Sequence, residues 1–118
     1  MPSKNQHIKM AGLNEQFGEE VLSLEKRFNS WAVVAFFYSA LHWVDAYLAT
    51  LGYHPPRHVE RNDRLRRESI LRKIRSDYRH LKTDSVDARY NIRSFRDSEI
   101  QLVRGYLETI KAHIQGKL

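Results

Sequence analysis

The sequence predicts an all-α fold, an antiparallel up-down bundle of four to five helices, as a single domain over residues 1–118. Three observations predict it. Apolar residues recur at steps of three and four and show no strand-like alternation. Only three prolines and five glycines interrupt 118 residues, too few for the turns of a many-stranded sheet. The most apolar stretch, Trp31 to Ala49, is hydrophobic nearly all round in its first half, as in a helix covered by others.

Each element follows from its local pattern. Met10, Leu13, Phe17, Val21, Leu24 and Phe28 form one apolar stripe, predicting a first helix from about His7 to Arg27. Asn29 and Ser30 are good N-cap residues and predict the start of a central second helix. Gly52 is expected to end it as a left-handed cap, and Pro55-Pro56 stiffens the connection that follows. A third helix begins near His58 and is polar through Glu68. From Leu71 a stripe resumes through Ile74, Tyr78, Leu81, Ser85, Ala88 and Ile92, and a break is expected near Asp77 or Lys82–Asp84. Ser94 with Asp97 resembles a capping box, and Ile100, Val103, Leu107, Ile110 and Ile114 mark the last helix.

Composition narrows the function classes. There is no cysteine, which removes disulfides, thiolate metal ligands and a cysteine nucleophile. The opening residues MPSKNQHIKM carry no apolar run of a secretory signal. Trp31–Ala49 approaches the length of a membrane span, but Ser39, His42 and Asp45 on one side argue against one. The expectation is a cytoplasmic protein with no membrane partner.

Net charge is +6, and its distribution says more than its total. Between Arg57 and Arg96 lie thirteen basic residues and six acidic ones, while the rest of the chain is close to neutral. Eleven of those thirteen are arginines, whose planar fork suits phosphate and carboxylate. An acidic partner is therefore expected, with Arg57, His58, Arg61, Arg64, Arg67, Arg72 and Arg79 as the phosphate-contacting set. The competing reading is a solvated helix laced with its own ion pairs.

Three constellations could carry chemistry. Ser39, His42 and Asp45 stand three apart on one helical face. No strained turn adjoins Ser39 to supply an oxyanion hole, so they read as a polar seam bonded to a neighbouring helix. The six histidines have no zinc-binding spacing, and no glycine-rich phosphate loop exists, so neither metal nor cofactor is expected. Arg57, His58 and Arg61 cluster at the start of the third helix, where backbone donors favour an anion. Alternatively Arg61 pairs with Asp45, which would be costly to bury alone. Tyr78, Tyr90 and Tyr106 fall on or beside apolar stripes and read as core rather than base-stacking platforms.

The run from Phe37 to Leu48 (FYSALHWVDAYL), the HPPRHVER turn from His54 to Arg61, and the later Tyr78, Leu81 and Ala88–Tyr90 resemble the HEPN superfamily of prokaryotic helical domains. The resemblance covers most of the chain, through motifs that are loose and mostly structural. It implies an up-down bundle, homodimers, and association with RNA, toxin–antitoxin modules and phage defence. Many members are metal-independent ribonucleases marked by an arginine followed four to six residues later by a histidine. Arg75-Ser-Asp-Tyr-Arg-His80 has that form, so Arg75 would steady phosphate charge and His80 would support attack by a ribose 2′-hydroxyl. Ser76 departs from the family's usual Asn, Asp or His after the arginine. Three functions follow as expectations: a module binding RNA or a nucleotide-bearing partner through the arginine-rich third helix, a dimeric endoribonuclease, or a subunit docking an acidic protein partner.

Overall fold

The apolar second helix is the axis of the molecule. A computed structural model describes residues 1–118 as six helices: α1 (Lys4–Leu22), α2 (Asn29–Thr50), α3 (His58–Arg67), α4 (Ser69–Arg72), α5 (Arg75–Tyr90) and α6 (Asp97–Gln115). A 3-10 turn, Lys26–Phe28, leads into α2. By length and hydropathy alone the segment Lys26–Thr50 could cross a membrane, yet 72% of its apolar window is buried beneath the other helices. The four long helices, α1, α2, α5 and α6, form an up-down-up-down bundle. Neighbours along it pair in opposed order: His7 meets His42 while Ala11 meets Ser39, and Glu15 reaches Lys111 while Glu19 reaches Arg104.

One contiguous core of 22 residues holds the bundle, centred on Phe36, Phe37, Val44 and Leu48 of α2. From α5 it takes Tyr78 and Leu81, and from α6 the expected stripe Ile100, Val103, Leu107, Ile110 and Ile114. Gly52 has φ +74°; its amide reaches the Ala49 carbonyl and that of Tyr53 reaches Leu48, closing α2 as the sequence predicts.

Several expected boundaries move. α1 starts earlier than His7, because Ser3 and Gln6 close a capping box, and it stops at Leu22 rather than Arg27. Asn29 does not cap α2. The helix continues from the 3-10 turn, and the buried Asn29 amide instead donates to the Phe95 carbonyl at 3.0 Å. The capping box of α6 forms two residues later than expected, at Arg96 with Glu99, whose carboxylate accepts the Arg96 amide at 3.1 Å.

The breaks between Arg57 and Tyr90 fall at Glu68 and Lys73–Ile74, not near Asp77 or Lys82–Asp84. Burial explains the first break. In one unbroken helix Leu71 would point about 120° away from Leu65, yet both side chains are buried. Extended backbone at Glu68 (ψ 123°) resets the phase.

The larger difference is on α1. Its inward face is His7, Ala11, Gly18 and Val21, whereas Met10, Leu13 and Phe17, and Leu24 just beyond its end, are exposed. The stripe that predicts the helix is thus mostly its outer face. Small residues face α2 because the two helices approach closely: a Cβ added at Gly18 would lie 2.6 Å from the buried Phe36 ring.

Candidate nucleic-acid interface

The polar seam of α2 is spent on holding the bundle together. Ser39 Oγ donates to the Ala11 carbonyl at 2.8 Å, binding α1. His42 Nδ1 lies 3.0 Å from His7 Nδ1, so one ring donates and the other accepts. Burial lowers both histidine pKa values, and for His42 the neighbouring His7 adds to the shift. Asp45 accepts two bonds from Arg61, at 2.7 and 2.9 Å, with both side chains buried. No oxyanion hole or nucleophile geometry forms around Ser39.

That geometry also bears on the anion site expected at the start of α3. Arg57, not His58, is the N-cap residue, and its guanidinium is paired with Glu60. Arg61 is committed to Asp45. His58 Nδ1 lies 3.3 Å from Arg61 Nη1. Arginine only donates, so this Nδ1 accepts and is unprotonated. Partial burial first, then the Arg61 charge, holds the His58 pKa low. Arg57, His58 and Arg61 therefore offer no free cation as a group.

The rest of α3 is similarly self-satisfied. Arg64 bonds Glu68 at 3.1 Å and stacks over Tyr53, with its Cζ 3.9 Å from the ring centroid. Arg67 pairs with Asp63 at 3.0 Å, and Arg66 shares the same carboxylate. The acids spaced three and four residues away pair with these arginines in place, with Arg66 and Arg67 sharing one carboxylate so that the helix keeps a net positive charge.

The unpaired cations lie further along. Arg72, Lys73, Arg75, Arg79, Lys82 and Arg89 have no carboxylate within 4 Å. Arg75 and Arg79 line two adjoining grooves. One, of about 410 Å³, lies between α3 and α5 and adds Asn62, Lys82 and Thr83. The other, of about 470 Å³, adds Arg72, Ser76, His80 and Asp84. The first has mixed walls and the second has no apolar lining residue, so both suit a charged, hydrated ligand better than an apolar one.

Arg75 and His80 thus border one groove without bonding to each other. His80 instead stacks on Tyr106 of α6, ring centroids 5.0 Å apart and planes within 11°. Five residues of helix set the two side chains about 140° apart. A mechanism using both would need a ligand spanning the groove, or one member from each of two copies. Burial raises the pKa of Asp84 at the groove's far edge, although Arg93 opposes that shift.

No group of three or more His, Asp or Glu side chains is placed to hold a metal ion. Tyr78 is buried as expected and Tyr106 half-buried, but Tyr90 is 70% exposed and stands outside the core. Sequence reasoning missed the groove between α2 and α5 that contains Trp31, Arg89 and Ile92. Its signal was the indole at the third residue of an otherwise largely buried helix. No family model, curated protein or solved structure matches this chain.

Proposed function

We propose that this chain is a HEPN-like helical module that binds RNA through its arginine-rich middle third and works as a homodimer. The observation that carries the reading is the set of unpaired cations, Arg72, Arg75, Arg79 and Lys82, along two adjoining grooves, one of mixed lining and one polar. Uncompensated guanidinium groups on a rigid helix favour an anionic backbone, and release of its counterions adds to the affinity. The paired arginines at the N-cap of α3 and along it, namely Arg57, Arg64 and Arg67, then serve mainly to shape and solvate that helix. The test is electrophoretic retardation of labelled single-stranded RNA across a salt series. Replacing Arg72, Arg75 and Arg79 with Gln should lower the slope of log affinity against log salt by about two, from about 0.7 per lost contact. The Arg57→Gln and Arg67→Gln pair should leave it nearly unchanged. Binding that is flat with salt, or insensitive to the triple change, removes this surface from the reading.

A second reading, a metal-independent endoribonuclease, is favoured by one observation: Arg75 and His80 border the same polar groove. Incubation with RNA in EDTA tests it. Cleavage by the unmodified protein and none by His80→Ala supports it, while intact RNA with both leaves the binding module. Association with an acidic protein partner would use the same cations and is the outcome indicated if RNA is neither cut nor retarded.

A further inference from the structure

The groove between the start of α2 and the end of α5 differs in kind from the two beside it. It holds about 400 Å³ and is lined by Trp31, Val34, Ala88 and Ile92, with Arg27, Arg89 and Arg93 at its edges. Trp31 is 59% exposed, whereas the other indole, Trp43, is 3% exposed. Ile92 is 98% exposed and held at φ +48°, a left-handed conformation that a β-branched side chain rarely adopts. The α5–α6 connection therefore keeps an apolar side chain in solvent at a backbone cost.

The cations around this groove are unequal. Arg93 is saturated by Asp84, Asp87 and Glu99, and Arg27 pairs with Glu25. Arg89 has no carboxylate. It donates to the Ser85 carbonyl and the Tyr38 hydroxyl, both at 3.3 Å, and its Cζ lies 5.2 Å from the centroid of Tyr90. An exposed indole beside an uncompensated guanidinium fits a ligand with a flat apolar face and an adjoining negative charge. Continuity points the same way. Arg75, Arg79, Lys82, Val86 and Arg89 follow one another at steps of four, three, four and three along one line of α5. That line spans about 21 Å, room for several consecutive phosphates, and ends at the groove.

We infer that this groove stacks an unpaired base of a single-stranded nucleic acid against Trp31, with Arg89 on the neighbouring phosphate. The inference rests on the RNA-binding reading of the α5 cations and adds the strandedness of the ligand. A duplex keeps its base faces inside the stack and cannot offer one to an indole.

Trp43 is buried, so a change in tryptophan emission on adding ligand reports on Trp31. Single-stranded oligouridylate should quench it, while an RNA duplex of equal length and poly-glutamate should not. Trp31→Ala should weaken oligouridylate binding about 5- to 100-fold with the salt slope unchanged, since stacking is lost and no phosphate contact is. Trp31→Phe should restore most of the affinity. Retained binding with unquenched Trp31, or with full affinity in Trp31→Ala, overturns the stacking site and leaves the α5 cations standing. Equal quenching by duplex or poly-glutamate overturns it as well. No binding of oligouridylate by the unmodified protein overturns both readings together.

Discussion

Asp45 shows how a single residue decides between a ligand site and a fold contact. Its carboxylate lies in the apolar heart of α2, where an isolated charge would be too costly to keep, and both its oxygens are met by Arg61. Removing one partner strands the other, so Arg61→Ala should cost about 3–5 kcal/mol in urea unfolding, against little for Arg57→Ala on the solvent side. Arg61→Lys should recover only part of the loss, because an ammonium cannot repeat the two-pronged bond. Arg61→Met with Asp45→Leu should recover more than Lys does, and failure to do so would mean that Arg61 is held for something other than Asp45. This contact was legible in the sequence, because a lone acid on an apolar helix demands a counter-charge. The partners of Ser39 and His42 were not. Both come from α1, at Ala11 and His7, and nothing in the spacing 39, 42, 45 names a residue more than twenty-five positions away.

At the scale of elements, α1 against α2 shows why an apolar stripe is an incomplete guide. Hydrophobicity marks Met10, Leu13, Phe17 and Leu24, but α2 brings its own bulk to the contact and needs a partner with little. Ala11 and Gly18 supply that, and the seam of His7–His42 and Ser39–Ala11 completes it. Gly18→Ala should therefore destabilise by about 1–3 kcal/mol despite the gain in helix propensity, because the Phe36 ring is fully enclosed and cannot yield. Gly12→Ala, with open space around it, should stabilise slightly, and equal effects at the two positions would refute the close packing. The seam also carries a pH dependence. His7, His42 and His58 have pKa values below the ordinary 6.5, chiefly from burial, in surroundings that include Asp45, Arg61 and His54. The unfolded chain then takes up protons first. Stability should hold above about pH 6.5 and decline as pH falls below it, with His7→Asn flattening the decline. Stability that rises on acidification over that window would contradict the direction of all three shifts. The breaks at Glu68 and Lys73–Ile74 escaped sequence reasoning for a related reason: no proline or glycine marks them, and they arise because Leu65, Leu71 and Ile74 must all reach one core.

For the molecule as a whole, the charge excess of the middle third was legible, but its location in space was not. Acids spaced three or four residues away, and Asp45 for Arg61, pair with the α3 arginines, which leaves the cations without a carboxylate partner on α4, α5 and the turn between them. Apart from the Trp31 groove, a second apolar surface is uncovered: Met10, Leu13 and Phe17 on the outside of α1, with Leu24 just beyond its end, each more than 40% exposed. The homodimer proposed above would give this surface an occupant whose charges fit. The first half of α1 carries Lys4 and Lys9, and the second half carries Glu19 and Glu20. Two such helices laid antiparallel about a two-fold axis set Leu13 opposite Phe17 of the second copy and bring each Lys9 alongside a Glu20. Parallel pairing would instead oppose like charges. Under two-fold symmetry each substitution counts twice. Phe17→Glu should remove about 1.5–3 kcal/mol of burial per copy and add repulsion with Glu20, converting dimer to monomer in sedimentation equilibrium. Because Phe17 lies outside the core, the variant's circular dichroism and urea midpoint should match those of the parent monomer. Lys9→Glu should weaken the dimer, and adding Glu20→Lys should restore it, since the swap re-forms the pair with reversed sign. A dimer unmoved by Phe17→Glu would place the contact elsewhere, and a parent chain that sediments as a monomer would mean that this face is covered by a different molecule.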